Sequence, residues 1–201
     1  MLQHIRPAVV LIVLMTILLG VIYPYAIWAV GAVVFPGRAG GSMIKRNGAV
    51  VGSSLIGQVF TADKYFHGRP SATNTPDPKD PSKNIDAPYN AANSSGSNFG
   101  ATSQPLVDRV KGDIEALRKE GIDGPIPADA VTTSASGLDP EISPAFALLQ
   151  VARVAKARNL PEDKVRALVL AQADGRFLGF IGEPRVNVLL LNLALDGLPA
   201  S

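Results

Sequence analysis

The chain of 201 residues contains no cysteine. That excludes disulfides, thiolate metal sites and cysteine nucleophiles together. It has two histidines, and one of them, His4, precedes a long apolar run. A histidine-ligated metal centre therefore has few ligands to draw on. Basic and acidic residues nearly balance, 19 against 17. There is no basic tract to follow a nucleic acid backbone and no polybasic cluster for acidic lipid. Motifs for phosphate and acyl chemistry are missing too. The glycine-bounded stretch from Gly52 to Gln58 is not followed by Gly-Lys-Ser/Thr, so it is no phosphate loop. Thr133-Ser134-Ala135-Ser136-Gly137 only superficially resembles a Gly-x-Ser-x-Gly elbow. No Asp-Lys-Thr-Gly-Thr phosphorylation loop and no Thr-Val-Gly-Tyr-Gly filter is present. These absences argue against an enzyme or transporter acting alone. They leave an accessory subunit.

What the chain does have is one uncharged stretch, Ala8 to Val34. As a helix it is roughly 40 Å long, against a hydrocarbon core of about 30 Å. A secretory signal has an apolar centre of only about 7–15 residues, and a soluble core helix rarely runs this far without charge. The reading is a retained span over 8–34, a short tail over 1–7, and a soluble domain over 35–201. Pro7 falls in the helix's first turn, where proline is tolerated. Pro24 falls inside, where it kinks a helix and frees a carbonyl that needs a partner in lipid. Tyr23, Tyr25 and Trp28 cluster there. They read either as a face packed on another membrane protein or as an interfacial aromatic belt.

Beyond the linker, Asn47-Gly48 predicts a tight hairpin between strands at about 43–46 and 49–52. From Pro70 to Pro105 the sequence is rich in proline, serine and asparagine and poor in large apolar residues. It reads as a flexible loop. Leu106, Val110, Ile114 and Leu117 then form a helical stripe, stopped at Gly121. A second helix is predicted from Ser143 as N-cap, with Pro144 at its first position. Its stripe is Phe146, Leu149 or Gln150, Arg153, Val154 and Ala157. A third runs from Pro161 to about Ala173. Phe177 to Ile181 reads as extended. Val186 to Leu195 reads as a last helix, with Asn187 or Asn192 on its less buried side. The fold class is α+β.

Tyr65-Phe66-His67-Gly68-Arg69-Pro70-Ser71 is the stretch richest in chemistry. It admits two readings. One is a catalytic or binding cluster built on His67 and Arg69. The other is a structural corner, with the rings in the core, Arg69 bonded to carbonyls, and Gly68 and Pro70 setting the turn. Arg153, Lys156 and Arg158 read as cations placed to favour a helix C-terminus.

Several stretches together resemble one family, the C subunit of the bacterial Kdp-type potassium-transporting ATPase. They are Arg6-Pro7-Ala8, Val21-Ile22-Tyr23-Pro24, Gly52 to Gln58 with Phe60, Tyr65 to Ala72, Ser95-Gly96-Ser97-Asn98, Ser134 to Asp139, Arg153 to Leu160, Val186-Asn187-Val188 and Leu191 to Asp196. They occur in family order over nearly the whole chain. The resemblance implies a non-catalytic subunit of an ATP-driven potassium uptake complex in the inner membrane. Its implied partners are a channel-like potassium-binding subunit, a P-type ATPase subunit and a small single-span subunit. It implies a role in assembly and as a catalytic chaperone raising the ATPase subunit's affinity for ATP. Gln150 is the position that matches the family's suggested nucleotide contact. The resemblance also places the domain outside the cytoplasm. Flank charge alone does not: Arg6 lies on one side of the span, and Arg38, Lys45 and Arg46 on the other. The alternative from a different class is a membrane-anchored extracytoplasmic enzyme using His67 and Arg69.

Overall fold

The structure, a computed structural model, describes residues 2–198. It divides into two compact units, one through Ser53 and one from Ser54 onward.

The first unit is built on the apolar helix Ile5–Val34, 30 residues long. It begins three residues before the uncharged stretch, so Arg6 lies within its first turn. Its parts are α1 (Ile5–Ile17), a π turn (Leu18–Ile22) and α2 (Tyr23–Val34). Proline has no N–H to offer the carbonyl four residues back. Just before Pro24 the ladder widens instead, and the Tyr23 N–H donates to the Leu18 carbonyl, five residues back. None of the helix's side chains is buried. Exposed apolar surface of that extent fits lipid or another protein, not water. A short helix α3 (Pro36–Ala39) leads to a hairpin of β1 (Met43–Arg46) and β2 (Ala49–Ser53). Asn47 (φ 52°) and Gly48 (φ 81°) both adopt positive φ at its turn, the geometry that matches strand twist. The hairpin belongs to the first unit, which ends at Ser53.

The second unit is α+β. The Pro70–Pro105 stretch is not bare loop: it holds an antiparallel hairpin, β3 (Asn74–Pro76) and β4 (Asn84–Asp86). Its polar side chains are spent on its own backbone. The Thr73 hydroxyl donates to the Ala87 carbonyl at 2.6 Å, and Asn90 Nδ2 to the Asn74 carbonyl at 2.8 Å. Next come α4 (Gln104–Lys119), β5 (Glu141–Ile142), α5 (Pro144–Leu149), α6 (Val151–Arg158), α7 (Glu162–Ala171), β6 (Ala173–Asp174), β7 (Arg185–Asn187) and α8 (Val188–Asp196). The short strands form one antiparallel sheet in the order β5-β7-β6. Ser143 caps α5 as expected, accepting the Phe146 N–H at 3.0 Å. The second predicted helix is two, broken at Gln150. Val186 and Asn187 extend β7, and Asn187 caps α8 by accepting the Leu190 N–H.

The core is Phe66, Ile142, Phe146, Val151, Val154, Val165, Val169, Val186, Leu191 and Leu195. Each such side chain contributes about 1.5–3 kcal/mol by leaving water. Phe66 is the only ring in this list from the loop region before α4, and it is fully buried. That places the Tyr65–Arg69 segment against α6 and α8.

Candidate functional site

The backbone from Asp63 to Arg69 is held by side chains, residue after residue. The Arg153 guanidinium donates to the Asp63 carbonyl at 2.8 Å and to the Tyr65 carbonyl at 3.1 Å. Arg158 Nε donates to the Lys64 carbonyl at 2.7 Å. Asn192 Oδ1 accepts the Phe66 N–H at 2.8 Å, and Asn192 Nδ2 donates to the Phe66 carbonyl at 3.0 Å. Gln150 repeats the pattern one residue on. Its Oε1 accepts the His67 N–H at 2.7 Å, and its Nε2 donates to the His67 carbonyl at 3.1 Å. The Tyr89 hydroxyl donates to the Arg69 carbonyl at 2.7 Å.

A segment threaded through an interior without strand neighbours leaves its peptide groups unpaired, which is costly. Here two buried carboxamides supply what neighbouring strands would. A carboxamide carries a donor and an acceptor side by side, as a peptide does. Gln150 and Asn192 are 1% and 2% exposed. Sequence reasoning put Asn187 or Asn192 on the less buried side of the last helix, and of the two Asn192 is the buried one. It lies inside, because it pairs with Phe66.

Side chains around the segment are equally committed. Arg158 Nη2 donates to Asp196 at 2.7 Å, and the guanidinium lies 4.9 Å over the Tyr65 ring. Arg69 Nη1 donates to Asp139 at 2.9 Å, with Nε and Nη2 near the Thr132 and Thr133 carbonyls. Arg153 Nη2 donates to Gln150 Oε1 at 2.7 Å. Arg153 Nε lies 3.6 Å from Glu120, an ion pair beyond hydrogen-bond reach.

The match to known proteins is full length. Residues 5–197 match the family described as KdpC: K+-transporting ATPase, c chain. The chain belongs to the KdpC family. It is 62% identical over 198 residues to a protein of Methylobacterium nodulans named Potassium-transporting ATPase KdpC subunit, with 98% of each chain covered. Proteins of the same name from Rhodopseudomonas palustris and Bradyrhizobium diazoefficiens are 60% and 58% identical, again over 98% of each chain.

In this KdpC-family chain, His67 and Arg69 border one cleft of about 370 Å³ with Ser71, Tyr89 and Glu120. Two of its hydroxyls are occupied: Ser71 Oγ donates to the Gly137 carbonyl at 2.7 Å and accepts the Tyr89 N–H at 3.0 Å, and the Tyr89 hydroxyl donates to the Arg69 carbonyl as above. His67 Nε2 lies 3.3 Å from the Ala62 carbonyl and 3.3 Å from Arg153 Nη1. It donates to the first or accepts from the second, according to tautomer. Burial lowers the His67 pKa, and the Arg153 charge lowers it further. Burial pushes Tyr89 up to about 12, with the Asp139 charge adding to the effect. Both groups are neutral at pH 7, and their neutral forms make the bonds described. Among the described residues no group of His, Asp and Glu is placed to hold a metal ion.

Gln150 is buried, with both amide atoms bonded to the His67 backbone. Sequence reasoning did not connect Asn192, Tyr89 and Asp139 with this arrangement, and read Arg153, Lys156 and Arg158 as cations that favour a helix C-terminus. One signal was available: an amide within each of two apolar helical stripes, Phe146–Val154 and Val188–Leu195.

Proposed function

We propose that this chain is a non-catalytic accessory subunit of an ATP-driven potassium uptake complex. The helix Ile5–Val34 anchors it in the inner membrane, and the domain beyond lies outside the cytoplasm. Its partners are a channel-like potassium-binding subunit, a P-type ATPase subunit and a small single-span subunit. It assembles and stabilises them. The observation that carries this reading is the full-length match to the family. The occupied side chains of the His67–Arg69 segment favour it over an enzyme.

Any effect on the ATPase subunit's affinity for ATP is a coupling between sites. In this reading Gln150 contributes by holding His67 in place, and ATP is bound by the ATPase subunit. A ligand taking the Gln150 amide would have to replace its bonds to His67.

The test is affinity purification of the tagged chain from membranes. Recovery with two larger membrane subunits and a small one is the expected result. Recovery alone, with substrate turnover that is lost in His67→Ala or Arg69→Ala, would favour the enzyme.

A further inference from the structure

Outside the helix Ile5–Val34, four large exposed apolar side chains sit together in one loop between β6 and β7. Phe177, Leu178, Phe180 and Ile181 are 66%, 70%, 72% and 48% exposed. No charge lies between Arg176 and Glu183, and these two pair at 2.7 Å across the base. The sequence predicted an extended piece here. The structure has a tight turn instead. Phe177 and Ile181 exchange both backbone hydrogen bonds at 2.9 Å, the Gly179 N–H donates to the Arg176 carbonyl, and the Phe180 N–H to the Phe177 carbonyl. Leu178 (φ 53°) and Gly179 (φ 83°) take positive φ at its tip.

Exposed apolar patches of this kind mark a protein or a membrane contact. Two features favour lipid. A loop entering a bilayer must satisfy its backbone internally, because lipid offers no partners. Here four of the six N–H groups from Phe177 to Gly182, those of Phe177, Gly179, Phe180 and Ile181, are bonded within the loop, which lowers the cost of entry without removing it. A protein partner would impose no such need. The chain's own span also tethers the domain to a bilayer, so a weak contact is made at high effective concentration. The base carries both signs, Arg176 and Arg185 with Asp174 and Glu183, which suits zwitterionic headgroups rather than an anionic surface.

We propose that the loop Phe177–Ile181 is a second membrane contact, with its four apolar side chains seated about 5–10 Å into the headgroup and acyl boundary. This rests on the reading of Ile5–Val34 as a membrane span, and the test separates the two.

The full chain is placed in phosphatidylcholine nanodiscs with an environment-sensitive dye on one introduced thiol, at Ile12, Ser82 or Phe180. The native chain has no cysteine to interfere. Ile12 reports the span, and Ser82 lies on an exposed loop. Phe180 is already exposed, so Phe180→Cys leaves the core intact. The expected result is that brominated lipid quenches Ile12 and Phe180 several-fold more than Ser82, aqueous iodide does the reverse, and salt changes neither. If Ile12 is quenched by lipid while Phe180 behaves as Ser82 does, the loop proposal is overturned and the span stands. If Ile12 escapes lipid, the span reading has failed, and the loop proposal with it. Shielding of Phe180 only when the other subunits are present overturns the lipid proposal in favour of a protein contact.

Discussion

At the scale of single residues, Gln150 and Asn192 do the work of strand neighbours. Truncating either leaves a buried N–H and a buried carbonyl unpaired, at about 1–3 kcal/mol each. Gln150→Ala and Asn192→Ala should each lower the domain's unfolding free energy by about 2–5 kcal/mol, measured by denaturant titration. A surface nucleotide contact would show no such loss, so an unchanged midpoint for Gln150→Ala would contradict the burial described here. His67 makes a prediction in pH. Its pKa is lowered in the folded state from 6.5, so the unfolded chain binds the proton more readily. Stability is then highest above pH 6.5 and falls with pH between 6.5 and the lower folded value. The cause is burial, together with the cation it would place 3.3 Å from Arg153. Glu120 and Asp63 oppose the shift but do not cancel it. His67→Asn should flatten that part of the pH profile. An equal slope in both proteins would assign the loss to other groups.

At the scale of elements, the turn Ser134–Gly137 and the strand-like stretch around Ser95 fit only because Gly137 has no side chain. Gly137 sits at φ 67°, and an added Cβ would stand 2.5 Å from both the Ser95 carbonyl and Thr73 Cγ2. Gly137→Ala should cost about 2–3 kcal/mol, whereas Gly100→Ala, with open space around it, should be close to neutral. Thermal unfolding of the two variants side by side decides this. The apolar helix Ile5–Val34 makes a different prediction. Its π turn at Leu18–Ile22 and Pro24 give it a shape that a uniform helix lacks. Replacing residues 8–34 with a poly-leucine helix should keep the chain in the membrane but weaken its recovery with the other subunits. Equal recovery would make the helix an anchor and nothing more.

At the scale of the whole molecule, the side of the membrane decides the mechanism. Ser82→Cys in intact cells should react with a thiol reagent that does not cross the inner membrane. Reaction only after lysis would place the domain in the cytoplasm. In the expected orientation, no second helix among the described residues is long and apolar enough to bring the domain back across: α4 has 16 residues and α8 has nine, short of about 20. Any influence on ATP use would then have to travel through the helix Ile5–Val34 or through a partner, as a bias between two states of the complex.

Local chemistry made much of this legible in the sequence. The span follows from one uncharged stretch, the hairpin from Asn47-Gly48, and the start of α5 from Ser143-Pro144, because each depends on neighbours along the chain. The family follows from motifs in order. The helix break at Gln150, the burial of Asn192 and the hairpin inside the proline-rich stretch depend on groups far apart in sequence. Gln150 and His67 are 83 residues apart, and Asn192 and Phe66 are 126. An amide in an apolar stripe looks like a surface position until a peptide group arrives to pair with it. The bonds that hold the Tyr65–Arg69 segment were likewise visible only in the tertiary structure. The same His and Arg serve catalysis or architecture according to which carbonyls and carboxylates the fold brings to them.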